Sequence, residues 1–467
     1  MNITKKLFLN KVNLLYSLVT IMMLSTISII APITTEFNIL ILIWAAIYFL
    51  YDFFTKKTCI KSRHKFFLLL YMIVFAIGII INIKNNPVDN IKTFVYTGFF
   101  LFILYSYDSN KEIITAQKEI RNINNIVIFI SSITSFIAII MFIFLIEFTF
   151  NDIPQGFVYP DSPALWGLYG NPNSGGMIAT LSIILTAVNI YIYKMYDLKK
   201  ISSARKYYYI FNIIIQWLYL VLCNSRGATV SLLASILFII FLKSYNKFIN
   251  KLSIFKTLVI SILICFVILI GYNLSVSLSR NILSYIPTFV ESIKDNNENT
   301  GTPTDTEITL DREIKSGHLS TGRAEIWSYG LNTLKFNPLF GHGPGNIGLA
   351  KQKLYPNDTS KYVITNNMHN GYIQILLSNG ILGMLFFGIF MVMIAKDSII
   401  AIFNTRIDID SNKKTFIILL LTPIIAIAIN GMFENVILLT QSYMPTILWI
   451  YLGYLGLSLN NTIKNVK

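Results

Sequence analysis

Three side chains in this sequence carry the means for acid–base and phosphate chemistry: His369, Arg226 and Arg323. An imidazole titrating near neutral pH can take a proton from a hydroxyl as a general base. A guanidinium meets phosphate oxygens in bidentate fashion, so a pyrophosphate head group carried on a lipid would suit either arginine. Arg226 stands in Ser225-Arg226-Gly227 between two apolar runs, a costly place for a cation without a partner. The bland reading is snorkelling to lipid phosphate or pairing with a carboxylate, and Arg323 shares it because Glu325 and nearby acids are at hand. His369 stands where a long polar segment enters an apolar run. Tyr372, Ile373 and Leu376 share its helical face, which predicts an imidazole pointing into an interfacial cleft. Its bland reading is a polar residue facing water.

Weaker signals surround these. Asp408-Ile409-Asp410 has the Asp-x-Asp form of metal-dependent glycosyl transfer, but it falls in an inner loop and short acidic triplets are common by chance. Gly341-His342-Gly343-Pro344-Gly345 lacks the lysine of a phosphate loop and predicts a tight turn. His318, His342 and His369 match no ligand spacing, so neither a metal nor another cofactor is expected. Cys59, Cys223 and Cys265 are not placed to form a disulfide.

The elements that must position these groups are apolar. Hydrophobic residues make up 54% of the 467 and charged residues 13%, which leaves too little polar surface to coat soluble domains of that size. Apolar runs fall at about 12–32, 37–54, 66–83, 92–107, 125–147, 174–193, 207–223, 227–242, 257–276, 371–395, 415–432 and 437–457, each near the length of a helical membrane span. Runs 207–223 and 227–242 are separated by Asn224, Ser225 and Arg226, and read better as a hairpin than as one broken helix. The expected fold is all-α, a polytopic membrane helix bundle of about 12 transmembrane helices.

The formal charge of +15 raises the question of a nucleic-acid partner, and placement answers it. With the N-terminus inside, the inner segments hold 26 of the 38 basic residues, including Lys56, Lys57, Lys61, Arg63 and Lys65, while the short outer loops hold only Lys84, Lys92 and Arg226. That is the positive-inside pattern, with both termini cytoplasmic and no nucleic acid implied. The first run follows Lys5, Lys6 and Lys11, yet it is long for a signal peptide and no cleavage site follows it, so it counts as a span.

Three regions follow: a membrane bundle over 1–276, a long outer segment over 277–370, and the last spans over 371–467. The stretch 294–321 is almost empty of large apolar residues and predicts mobility. From Thr321, a candidate N-cap, residues Ile326, Trp327, Leu331 and Leu334 recur at helical spacing and predict an amphipathic helix at the membrane surface, ended by Asn337-Pro338. A second outer loop, 148–173, holds Asp152, Asp161, Trp166 and the turn-rich Gly170-Asn171-Pro172-Asn173.

These residues resemble the O-antigen ligase and Wzy polymerase superfamily over about 165–435. The resemblance rests on Ser225-Arg226-Gly227, on Gly322-Arg323 with Trp327, on Asn337-Pro338-Leu339-Phe340-Gly341, and on His369-Asn370-x-x-Ile373-x-x-Leu376-x-x-x-Gly380-x-x-Gly383. His342 departs from the family, which more often has a small or aliphatic residue there. The resemblance implies a GT-C-like glycosyltransferase of the bacterial cytoplasmic membrane, acting at the outer face on an undecaprenyl-pyrophosphate-linked glycan donor and a glycan acceptor. It implies His369 as base and Arg226 and Arg323 as pyrophosphate ligands, supported by Asn370, Tyr372 and Ser225. Envelope polysaccharide assembly proteins are candidate partners.

Polymerase, lipid A ligase and protein O-glycosyltransferase share these motifs. Heavy use of Ile, Asn and Lys points to an AT-rich genome and leans toward a capsule or surface-polysaccharide polymerase. Outside the class stand a lipid-linked oligosaccharide flippase and a noncatalytic scaffold. The former is disfavoured because no charge is expected deep in a span.

Overall fold

The computed structural model describes residues 8–158, 163–195, 202–298, 310, 322–403 and 411–463. Asp161, Asp408 to Asp410, His318, Thr321 and nearly all of 294–321 lie outside them. The chain is mostly helical and passes the membrane several times. In order come α1 (Lys11–Leu24), α2 (Ala31–Phe54), α3 (Lys65–Ile81), α4 (Pro87–Phe99, continued by a π-helical turn Phe100–Leu104) and α5 (Ile113–Ile143). A sheet of β1 (Glu147–Phe150), β2 (Ile153–Val158) and β3 (Ala164–Gly167) precedes α6 (Pro172–Met195), α7 (Ser203–Leu222), α8 (Arg226–Phe248) and α9 (Ile254–Glu298). Then follow α10 (Arg323–Asn332), α11 (Ile347–Leu354), α12 (Gly371–Phe403), α13 (Ser411–Asn430) and α14 (Tyr443–Ile463).

Every apolar run falls on a helix, and seven of the described helices are long and apolar enough to span a bilayer; α1 and α3 are shorter apolar helices. Two corrections concern the elements. The fold is not purely helical: the loop expected over 148–173 contains a three-stranded antiparallel sheet in the order β1-β2-β3. Its strands are rich in aromatic residues, and Asn151 and Asp152 both take positive φ, as a two-residue hairpin turn requires. The second correction is the cap of α10. Gly322, at φ 80°, holds the position expected for Thr321.

The chain packs as two compact units. Unit 1 is Met1–Val19, Ile39–Glu119 and Ile314–Lys467; unit 2 is Thr20–Asn38 and Ile120–Glu313. The boundaries thus cut across α1, α2 and α5 and follow packing rather than position along the chain.

Within unit 1, α3 and α12 pack antiparallel. Near one end Asn82 Nδ2 donates to Gly341 O at 3.2 Å and the Tyr71 hydroxyl to Asn379 Oδ1 at 3.1 Å; near the other, Arg63 Nε and His64 Nε2 both meet Asp397 Oδ2 at 2.5 Å. Among the described residues the buried charged side chains Asp52, Lys65, Glu119 and Asp397 lie toward the ends of the long helices, and Lys351 lies in the short α11.

Within unit 2, polar side chains join α5, α6 and α7. Ser132 donates to Asn212 at 2.7 Å, Asn212 to Thr186 at 2.8 Å, and Ser135 to Gln216 at 2.9 Å. Between apolar surfaces in lipid such bonds, rather than hydrophobic burial, hold helices together. Helix α6 packs against both α7 and α8, which connect through Cys223-Asn224-Ser225.

Candidate functional site

In unit 1 one carboxylate gathers the site. Glu434, in the connection between α13 and α14, accepts from Arg323 Nη2 on Oε1 at 2.8 Å and meets His369 Nδ1 with Oε2 at 2.9 Å. A carboxylate can only accept here, so Nδ1 carries the ring proton and a neutral imidazole presents a bare Nε2. Nε2 makes no hydrogen bond among the described residues, and the His369 side chain is 39% exposed against 19% for Glu434.

Several backbone contacts fix that geometry. Trp327, one helical turn after Arg323, donates from Nε1 to Met368 O at 2.8 Å, so α10 holds both the residue before His369 and its carboxylate partner. The apolar face of α10 packs on Ile347, Met368 and Leu377. His369 itself precedes α12 and takes φ 45°, so it shares no helical face with Tyr372, Ile373 and Leu376 as the spacing predicted. Its N–H donates to Asn367 Oδ1 at 3.0 Å.

Asn370 caps α12: its Oδ1 accepts from Tyr372 N and Ile373 N, both at 3.0 Å, while its Nδ2 donates to Met432 O at 3.1 Å. Gly371 N donates to Gly431 O at 2.7 Å and Glu434 O at 3.1 Å. The Tyr372 hydroxyl donates to Ala428 O at 2.8 Å. The connection carrying Glu434 is thereby bound to the segment carrying His369 at Gly431, Met432 and Glu434, and the end of α13 at Ala428.

The glycine-bearing motifs meet in the backbone. Helix α12 breaks at Gly380, whose φ of 68° and ψ of −173° interrupt its ladder. Residues 338–343 enter there: His342 N donates to Leu377 O and Gly343 N to Ser378 O, both at 2.9 Å, and Ile381 N donates to Pro338 O at 2.8 Å. A Cβ on Gly341 would stand 2.5 Å from Gly380 N, so glycine is needed on both strands of this crossing. His342 is buried against Thr333 O at 3.1 Å and burial lowers its pKa, giving it a packing role.

Arg226 belongs to unit 2 and begins α8. Asn224 takes φ 57° and its amide donates to Leu310 O at 2.8 Å; Ser225 caps the helix, its hydroxyl accepting from Ala228 N at 3.4 Å. Arg226 is exposed and has no ion pair or hydrogen bond among the described residues. A cation on the positive end of a helix dipole is unfavourable unless an anion joins both. The structure thus brings His369, Arg323, Asn370 and Tyr372 together, with Arg226 and Ser225 in the other unit.

Sequence reasoning missed Glu434. Its signal was its isolation, since it is the only charged residue between Lys414 and Lys464.

No curated protein matches the chain. A family model described as O-antigen ligase matches residues 211–388, which include Arg226, Arg323 and His369 and stop short of Glu434. Residues 211–388 are therefore an O-antigen ligase-like region, in a chain whose described residues include seven helices long and apolar enough to cross a membrane.

Proposed function

We propose that the protein polymerises undecaprenyl-pyrophosphate-linked oligosaccharides at the outer face of the cytoplasmic membrane, as a Wzy-type surface-polysaccharide polymerase. The observation that carries this reading is the single carboxylate joining Arg323 to His369. It sets a proton acceptor beside a guanidinium, which is what transfer of a sugar from a diphosphate to a hydroxyl requires.

The acceptor hydroxyl attacks the anomeric carbon of the donor, the bond from that carbon to the diphosphate oxygen breaks, and the hydroxyl proton passes to His369 Nε2. Glu434 stabilises the imidazolium so formed. Arg323 and Arg226 neutralise the departing lipid diphosphate. The diphosphate supplies the driving force.

The test is polymer formation from a lipid-linked oligosaccharide in reconstituted vesicles. His369→Ala abolishes polymer, and Arg226→Lys loses nearly as much as Arg226→Ala because the fork geometry is lost. Full turnover in His369→Ala removes the base from the mechanism, and full activity in Arg226→Lys removes the bidentate role. Transport of the lipid-linked glycan without polymer supports a flippase instead.

A further inference from the structure

A cavity of about 830 Å³ opens in unit 1 between the start of α1, the end of α2, the residues after the π-helical turn, and α14. It lies at the Arg63–Asp397 end of the α3–α12 pair, away from His369. Thr58 and Ser106 line it, and Lys65, the first residue of α3, reaches Ser106 Oγ at 3.4 Å.

Its charges do not balance. Lys11, Lys56 and Lys111 line it against Asp108 and Glu119. Lys111 is matched, meeting both Glu119 oxygens at 2.9 and 2.7 Å, and the Tyr454 hydroxyl donates to the same carboxylate at 2.6 Å. Asp52, behind the wall, is occupied by Thr58 Oγ1 at 2.7 Å and Cys59 N at 2.8 Å. Lys11 has only neutral acceptors: its ammonium donates to Leu104 O at 3.3 Å and to Ser106 O. Lys65, which is buried where Lys11 is half-buried, donates to Leu101 O and Ser106 Oγ. Two ammonium groups thus share the oxygens of residues 101–106, with no carboxylate in ion-pair distance among the described residues. An uncompensated charge withdrawn from water is costly, and an anion in the cavity removes that cost.

The rest of the lining selects the anion. Tyr48, Tyr51 and Tyr107 bring hydroxyls, whereas Leu15, Leu104 and Leu457 supply an apolar wall that a free inorganic ion would leave unused. The volume suits a head group with the first carbons of its chains. The basic loops at this end put it on the cytoplasmic side, where the leaflet is anionic and basic pockets between helices take lipid head groups.

We propose that this cavity binds the phosphate group of an anionic phospholipid of the cytoplasmic leaflet, with Lys11 as its counter-charge. The test uses the full-length protein in mild detergent. Phosphatidylglycerol, phosphatidylcholine or sodium phosphate is added in thermal unfolding, and retained lipid is counted by native mass spectrometry. Wild type is expected to gain several degrees with phosphatidylglycerol and little with the other two. Lys11→Met is expected to retain at least fivefold less phosphatidylglycerol. Lys56→Met, at an exposed rim position, weakens retention about twofold to threefold and serves if the Lys11 variant fails to accumulate. Equal stabilisation by phosphatidylcholine, or retention unchanged in whichever variant accumulates, overturns the proposal. Stabilisation by sodium phosphate alone also overturns it, in favour of a free-anion site.

Discussion

Replacing Glu434 with Gln tests the coupling between base and guanidinium with little change of shape. Two donors meet this carboxylate, Arg323 Nη2 at 2.8 Å and His369 Nδ1 at 2.9 Å. An amide has one oxygen, so its NH2 must face one of them. If the oxygen stays on Arg323, the NH2 faces Nδ1, which must then accept, and the ring proton moves to Nε2. The atom proposed to take the acceptor proton is then already protonated. If the oxygen stays on His369, the NH2 opposes the guanidinium and Arg323 loses its partner.

A hydrogen bond to a charged group contributes about 1.5–3 kcal/mol, and each ~1.4 kcal/mol in a barrier is about tenfold in rate. Glu434→Gln is therefore expected to lower kcat for polymer formation by about 100-fold, with a smaller change in donor KM. Glu434→Asp keeps the charge one methylene short and should recover much of the loss. The assay is initial polymer formation in vesicles at saturating donor, with thermal unfolding confirming that the variant is folded. A Glu434→Gln rate within twofold of wild type would refute the orienting role of this carboxylate.

Other consequences are structural. Gly380→Ala should destabilise by more than about 2 kcal/mol, because the site has positive φ and the new Cβ would meet Leu339 O inside van der Waals contact; membrane accumulation and thermal unfolding report it. Lys351 is fully buried, donates to Tyr362 O at 2.7 Å, and is pushed down to about 8 by burial. Below pH 8 its folded state holds a buried charge that the unfolded chain holds in water, so that penalty is relieved as pH rises from about 8 toward 10.5. Lys351→Met should raise the apparent Tm at pH 7, less the ~1 kcal/mol of its hydrogen bond, and the gain should vanish by pH 10.5. His342 is depressed by burial, so the unfolded chain takes its proton first; wild type should lose stability as pH falls below about 6.5, and His342→Gln should lose less over the same interval.

The helices were legible because a membrane span needs a long apolar run: each run in the sequence falls largely on helix, and seven of the described helices are long and apolar enough to span a bilayer. The site was legible where its members lie in local spacing: Arg323 and Trp327 are one turn apart on α10, and His369 stands just before a capped helix start. Glu434 was not, since it reaches His369 across 65 residues and no local pattern links them. Hydrophobic pattern also reads α12 as one continuous helix, because the break at Gly380 is made by backbone torsion in a stretch that stays apolar on both sides. The sheet was hidden for a related reason. Its strands are short, and only the Asn151-Asp152 turn marks them.

The break in α12 explains why two separated motifs accompany one histidine. An unbroken helix would satisfy its own carbonyls, and Leu377 O and Ser378 O would have nothing to offer the 338–343 segment. With Gly380 in the left-handed region, those oxygens receive His342 N and Gly343 N, and the chain following α10 is clamped to the first turns of α12. Arg323 stands at the other end of that short α10 segment, so the clamp, the Trp327 bond to Met368 O and the Glu434 bridge limit its motion relative to His369 from three sides. The left-handed backbone at His369 costs on the order of 1 kcal/mol, and it persists because these contacts over-determine it. His369 and the Arg323 guanidinium are thus held by backbone hydrogen bonds that binding of substrate need not disturb.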